Sequence, residues 1–223
     1  MQNKDIKTFA YVMRRTNYGE ADRILNIITP LGKMSVIAKG VRKEKSKLAG
    51  GIEMFSLVEL TIHQGKSEFG VVTSAKMKKY FNNIITDLNK MEFAAVALKK
   101  INKMAEQSDN PEHFKIVDQV LNALNANIDL ELIEAWFLFN ACKANGEEAN
   151  LYFDISGKKL LPDKTYEWDS LELALVERVS GSITANEIKL MRLMSTSEIA
   201  LVAGVKNTKE LLPKILRIAR SLL

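Results

Sequence analysis

The chain has 223 residues, 47% apolar and 26% charged, with a net charge of +5, which suits one large globular domain or two small ones. No apolar run approaches the roughly 18 residues of a spanning helix, and the opening MQNKDIKTFAYVMRR lacks an apolar core behind its charges, so neither a membrane span nor a secretory signal is expected. One cysteine, Cys142, and two histidines, His63 and His113, exclude an internal disulfide, fit a reducing cytoplasm and fall short of the four ligands of a structural zinc site.

The first eighty residues read as β-structure. DIKTFAYVMRR alternates through Phe9, Tyr11 and Met13, and DRILNIIT is short and β-branched. KMSVIAKG follows a turn in which Pro30 and Gly32 supply the fixed and the permissive backbone. FSLVELTIHQG puts Val58, Leu60 and Ile62 on one face against Leu57, Glu59 and Thr61 on the other, and SEFGVVTSAK completes five strands after a tight turn. Five short antiparallel strands must hide their edges, which predicts a small barrel. An oligonucleotide-binding (OB) barrel leads, with an SH3-like barrel compatible with the same pattern.

From residue 87 the period becomes helical. DLNKMEFAAVALKKINKMAEQ carries Leu88, Met91, Ala95, Leu98 and Ile101 along one stripe. The next segment starts with Asn110 as cap and Pro111 at the first helical position, and repeats Phe114, Val117, Leu121 and Leu124. DLELIEAWFLFNACKANG is apolar on nearly every side, which predicts a central buried helix stopped by Gly146. LYFDISGKKLL reads as a small β-hairpin near 150–160, turning at Ser156-Gly157. Helical pattern resumes at about residue 170, where Thr184 with Glu187 and Asn207 with Glu210 have capping-box spacing. The expected fold is α+β: residues 1–80 form the barrel, and residues 81–223 an α-helical domain with a small hairpin.

Charge divides along the same line. Residues 1–80 hold 15 Lys/Arg against 7 Asp/Glu, a net +8, whereas the remaining 143 hold 17 against 20, a net −3. That asymmetry implies a polyanion-binding module joined to a near-neutral one, with a basic surface kept for solubility as the alternative. The cations concentrate in AKGVRKEKSKLAGG, where Lys39, Arg42, Lys43, Lys45 and Lys47 face only Glu44. A loop between OB strands borders the groove where such barrels hold nucleic acid, and Gly40, Gly50 and Gly51 are expected to let it flex toward phosphates. Arg14, Arg15, Arg23 and Lys33, at strand ends, extend the same surface. Tyr18, Phe55 and Phe69 are the candidate stacking rings, against the commoner role of an aromatic as barrel core.

Catalytic signatures are weak. No glycine-rich phosphate loop precedes a helix, and neither histidine has an activated Ser or Cys in a local motif. Asp5, Glu20, Asp22 and Glu53 could gather around Mg²⁺ as a nuclease site, but solvated surface carboxylates explain them better. The C-terminal TSEIALVAGVKNTKELLPKILRIAR has helix-turn-helix lengths about Gly204. Pro213 and the apolar series Leu211, Leu212, Ile215, Ile218 and Leu222 instead favour a helix packed on its own domain.

The pieces YGEADRIL, Thr29 to Lys33, AKGVRKEKSKLAG and the strand starting at Phe55, in that order and spacing, make residues 16–76 resemble the N-terminal domain of the RecO family of bacterial recombination mediators. The resemblance implies an OB-fold domain, a helical C-terminal domain, and DNA binding without catalysis or cofactor. It also implies annealing of complementary strands and action beside a RecR-like protein, single-strand-binding protein (SSB) and RecA, in the cytoplasm at the nucleoid. The matching basic positions are Arg23, Lys33, Lys39, Arg42, Lys43, Lys45 and Lys47, with Tyr18 and Gly19 shaping a turn. Many members carry a four-cysteine zinc site after the central helix. Only Cys142 stands there, so zinc is not expected, and Leu151, Phe153 and Ile155 are the residues expected to hold the hairpin by packing. Glu53-Met54 replaces the proline usual before the phenylalanine.

Overall fold

A computed structural model of the chain describes residues 4–108 and 110–223, in two compact units, Met1–Asn125 and Ala126–Leu223. In the first, β1 (Lys4–Tyr18), β2 (Asp22–Thr29), β3 (Gly32–Ala38), β4 (Ser56–Gln64) and β5 (Gly70–Tyr80) close a barrel in the order β1-β2-β3-β5-β4. The 15-residue β1 serves two neighbours: its first half pairs antiparallel with β4 and its second half with β2. β3 and β5 close the ring in parallel at Val36↔Gly70 and Ile37↔Val71. This closure and connectivity are those of an OB fold, so the leading expectation stands.

The lumen is filled by Ala10, Val12, Leu25, Ile27, Val36, Val58, Leu60 and Ile62, each 0–1% exposed. Period-2 alternation predicts the β4 set directly. In β1 the apolar alternation through Phe9, Tyr11 and Met13 misleads, because it lies on the outer face. Tyr11 and Met13 are buried from outside, while Phe9 is 45% exposed. Tyr11 lies beneath Phe81 and Phe114, with ring centroids 6.3 and 5.3 Å away, and its hydroxyl donates to Asp118 Oδ1 at 2.5 Å.

The helices α1 (Asn82–Ile85), α2 (Leu88–Met104) and α3 (Glu112–Asn125) belong to this same unit. The period change near residue 80 therefore marks the end of the barrel, while the compact unit runs on to Asn125. On α2 the buried stripe is Ala94, Ala97, Leu98 and Ile101 rather than one beginning at Leu88, which is 64% exposed. Small alanines let the helix approach its neighbours closely, and the larger Leu88 and Val96 fall outside the contact. On α3, Val117, Leu121 and Leu124 are buried as the spacing predicts, and Asn110 Oδ1 accepts from the Glu112 amide at 3.0 Å.

The second unit is built around α4 (Leu130–Ala144), capped by Asp129 and buried over most of its circumference; Gly146, at φ 90°, follows its end. β6 (Asn150–Asp154), β7 (Tyr166–Asp169) and β8 (Ala174–Glu177) form a three-stranded sheet in the order β6-β8-β7. The expected hairpin is present as the bridge Phe153↔Lys159, but the sheet is larger than expected. The helical reading from residue 170 fails. Asp169 Oδ1 accepts from the Leu171 and Glu172 amides, making a turn, and Ala174 and Leu175 enter the core as strand residues. Packing does not hold the hairpin tip as expected either: Leu151 is buried, yet Phe153 and Ile155 are 48% and 51% exposed. The Asp154 carboxylate does that work, accepting from Ser156 N, Ser156 Oγ and Lys158 N at 2.7–2.9 Å.

The last helices are α5 (Ala185–Thr196), α6 (Ile199–Ala203) and α7 (Thr208–Arg220). Thr184 and Glu187 form the expected capping box. Asn207 does not: it sits at φ 62° with no side-chain cap, and α7 starts from this left-handed residue. The five residues of α6 are too few for the first helix of a helix-turn-helix, and α7 turns Leu212, Ile215, Leu216, Ile218 and Ala219 inward. Arg220 holds α7 to α4 through a two-pronged pair with Glu134 at 2.7 and 2.8 Å.

Candidate nucleic-acid interface

The cationic segment is an ordered cap. Successive short turns carry it: Lys43 N donates to Gly40 O, Ser46 N to Lys43 O and Gly51 N to Leu48 O, at 3.0–3.1 Å. Between the charges, Val41 and Ile52 enter the barrel core at 3% and 0% exposure, and Leu48 packs against it. Both ends are fastened. Gly40 N donates to Asp22 Oδ1 at 2.7 Å, Arg42 N to Ala21 O at 2.9 Å, and Arg15 pairs with Glu53 at 2.8 Å.

Glycine works here differently from the sequence expectation. A Cβ on Gly51 would lie 2.5 Å from the Ala75 carbonyl oxygen, so this glycine permits tight packing on β5 rather than flexing. Gly40 takes φ 63° in the turn after β3. The apolar residues point in and the lysines out, and that fixes a charged surface without the entropy cost of ordering a free loop on binding.

The nine candidate cations divide by what holds them. Lys39, Lys43, Lys45 and Lys47 are exposed and, among the described residues, have no carboxylate in ion-pair range. Arg42 is exposed too, with Nη1 donating to Gly19 O at 3.2 Å, which brings it to the β1–β2 turn. Arg23 is half-buried and its Nε donates to Asn17 Oδ1 at 3.3 Å. Arg15 is engaged by Glu53, and Arg14 is exposed on the outer wall of β1.

Lys33 stands apart from this group. Its side chain is 12% exposed, its Nζ donates to Glu106 at 2.9 Å and to Asn102 O at 3.2 Å, and it fastens β3 to α2. The hydrogen bond and charge of Lys33 hold the Glu106 carboxyl below its ordinary value. A strand-end position in the sequence did not reveal that a helix would cover it.

Repulsion within the cap is small enough for water to absorb. Two unit charges 10 Å apart in water repel by about 0.4 kcal/mol. Water therefore screens these exposed ammoniums, which among the described residues have no carboxylate in ion-pair range. Of the candidate rings, Tyr18 is 54% exposed at the end of β1, while Phe55 and Phe69 are half-buried.

The strand register gives Arg14 neighbours that the sequence did not single out. Arg14, Asn26 and Ser35 form one row across β1-β2-β3, and Thr16, Ile24 and Ile37 form the next. Leu25 and Val36 face the lumen between them, so these rows line the outer wall. This is the strand 2–3 surface on which OB barrels hold oligonucleotides. The alternation of Ile24 and Asn26 with Leu25 and Ile27 was the available signal, but only barrel closure tells which set faces out.

The four carboxylates considered for a metal do not converge. Asp5 pairs with His63 at 2.7 Å, Asp22 holds Gly40, Glu53 holds Arg15, and Glu20 is exposed in a turn. Cys142 is buried beneath α7, where its thiol meets the Leu222 carbonyl at 3.8 Å; burial, then the charge of Glu147, pushes its pKa up to about 11. Among the described residues no helix is long and apolar enough to cross a membrane.

Comparison with known proteins covers both units. The family described as Recombination protein O N terminal matches residues 1–81, and that described as Recombination protein O C terminal matches residues 85–223. The chain is similar to the DNA repair protein RecO of Roseiflexus sp. (strain RS-1), 28% identical over 209 residues, 90% of this chain and 74% of that protein. It is 29% identical to the protein of that name from Dehalococcoides mccartyi (strain ATCC BAA-2266 / KCTC 15142 / 195) over 220 residues, covering 95% and 86% respectively. A shorter match of 103 residues, 36% identical, links it to the DNA repair protein RecO of Desulfitobacterium hafniense (strain DSM 10664 / DCB-2), over 46% of this chain and 37% of that one.

Proposed function

This chain belongs to the RecO family of DNA repair proteins, and on that premise we propose that it is a non-catalytic recombination mediator. In this reading it binds single- and double-stranded DNA, anneals complementary strands, and helps load RecA on SSB-coated DNA together with a RecR-like partner, at the nucleoid in the cytoplasm. The observation that carries the reading is the ordered cap whose Lys39, Lys43, Lys45 and Lys47 lack carboxylate partners among the described residues, together with Arg42, which reaches the β1–β2 turn.

The mechanism is charge neutralisation. Complementary strands repel through their phosphates, and a fixed cationic surface releases their counterions and raises the local strand concentration. Arg14 and Tyr18 extend the contact along the outer wall, and Arg23 extends it at the end of the barrel beside Asn17, so that sugar–phosphate can be tracked and one base can stack. No nucleotide hydrolysis enters this cycle. Lys33, being tied to α2, contributes by holding the barrel and helix together.

The test is annealing of two complementary oligonucleotides coated with SSB, followed by fluorescence with Mg²⁺ and with EDTA. Faster annealing in both conditions, with both strands intact on a denaturing gel, is the expected result. Strand cleavage that requires Mg²⁺, or no acceleration, overturns the reading.

A further inference from the structure

The second unit carries an exposed surface that its fold does not use. Around the turn after β6, Tyr152, Phe153, Ile155 and Leu161 are 48–52% exposed, although the hairpin is held by Asp154 and not by them. Large apolar groups grouped on one short hairpin cost solvation and call for a ligand. A cation stands beside each of the two rings. Arg192, from α5, lies 4.6 Å from the Tyr152 ring centroid, and its Nε donates to Leu151 O at 2.8 Å, which fixes the guanidinium on that ring. Phe153 stands opposite Lys159 in the bridge, and Lys158 and Lys159 are both exposed. The carboxylate within this turn, Asp154, is 8% exposed, and its Oδ1 accepts from Ser156 and Lys158.

Exposed rings with cations at their sides are what single-stranded nucleic acid uses: bases stack on the rings while ammonium and guanidinium groups take the phosphates. We infer that the hairpin of residues 150–161, with Arg192, is a second contact for single-stranded nucleic acid, separate from the barrel cap and based on stacking. The inference extends the proposed function and rests on it, since a chain that handles no nucleic acid has no use for such a platform. The two contacts differ in kind. The cap offers charge with one exposed ring, and so accepts duplex and single strand alike. The hairpin offers two rings, and so favours strands whose bases are free.

The test uses the full chain and an oligothymidylate carrying 5-iodo-deoxyuridine, cross-linked by ultraviolet light and mapped by mass spectrometry. Cross-links at Tyr152 or Phe153, in addition to barrel peptides, are expected. Replacing both rings, as Tyr152→Leu with Phe153→Leu, keeps apolar bulk on the hairpin. It is expected to weaken single-strand binding at least fivefold, the loss of about one stacked base, while leaving duplex binding unchanged. Lys158→Gln with Lys159→Gln is expected to weaken single-strand binding as well. Cross-links confined to the barrel, or single-strand binding indifferent to loss of the rings, overturn the inference while leaving the proposed function standing; a patch built to dock a protein gives that result. Absence of any oligonucleotide binding by the unaltered chain overturns both.

Discussion

Removing the four unpaired lysines of the cap, as Lys39→Ala, Lys43→Ala, Lys45→Ala and Lys47→Ala together, is the sharpest perturbation of the proposed interface. These side chains project from an ordered backbone, while Val41 and Ile52 hold the segment in the core, so the substitution deletes charge without deleting structure. If each ammonium neutralises one phosphate, four contacts contribute about −3 to the log–log slope of single-strand affinity against salt, at about −0.7 per contact. Over a rise from 50 to 200 mM salt, that share amounts to a loss of about fiftyfold in affinity. The variant is expected to bind weakly at low salt and to lose that share of its salt sensitivity, with its melting temperature unchanged. Fluorescence anisotropy of a labelled oligonucleotide at four or five salt concentrations measures the slope directly. A variant with the slope of the unaltered protein refutes the assignment and moves the phosphate contacts to another surface.

Gly51→Ala is expected to destabilise the first unit by about 1–3 kcal/mol, because its Cβ meets the Ala75 backbone at 2.5–2.6 Å; denaturant melts check it, and oligonucleotide binding should weaken although no charge has changed. Glu187 is nearly buried, which would raise its pKa, but hydrogen bonds from Thr184 and Lys214 outweigh that and hold it below its ordinary value. A depressed folded value means that its stabilisation is complete above the ordinary glutamate pKa and is lost as pH falls through the folded one. Thermal melts between pH 6 and 3 are therefore expected to show an acid-sensitive limb that Glu187→Gln flattens. Cys142, with its pKa pushed up to about 11 and its side chain buried, should resist a thiol reagent at pH 8 in the native protein and react at once in denaturant; rapid native reaction would contradict the packing beneath α7.

The sequence by itself determined those features that depend on near neighbours along the chain. Alternation through Val58, Leu60 and Ile62 defined a half-buried strand, the unbroken apolar run through Trp136 and Phe139 defined a central helix, and Thr184 with Glu187 defined a cap, because each signal is complete within a few residues. The charge of the cap was equally legible, since like charges crowded within nine positions need no partner to be noticed.

Only the tertiary structure decided the rest. Whether Tyr11 faced the lumen depended on Phe81, Phe114 and Asp118, seventy to more than a hundred residues away, and whether Lys33 was free depended on Glu106. Strand β8 looked helical until Asp169 bent the chain and β7 took it as a partner. The close seat of the cap on β5 came from Gly51 meeting Ala75, distant in sequence. Burial, pairing and charge compensation are set by distance in space, and a linear pattern contains that distance only where the chain itself is short.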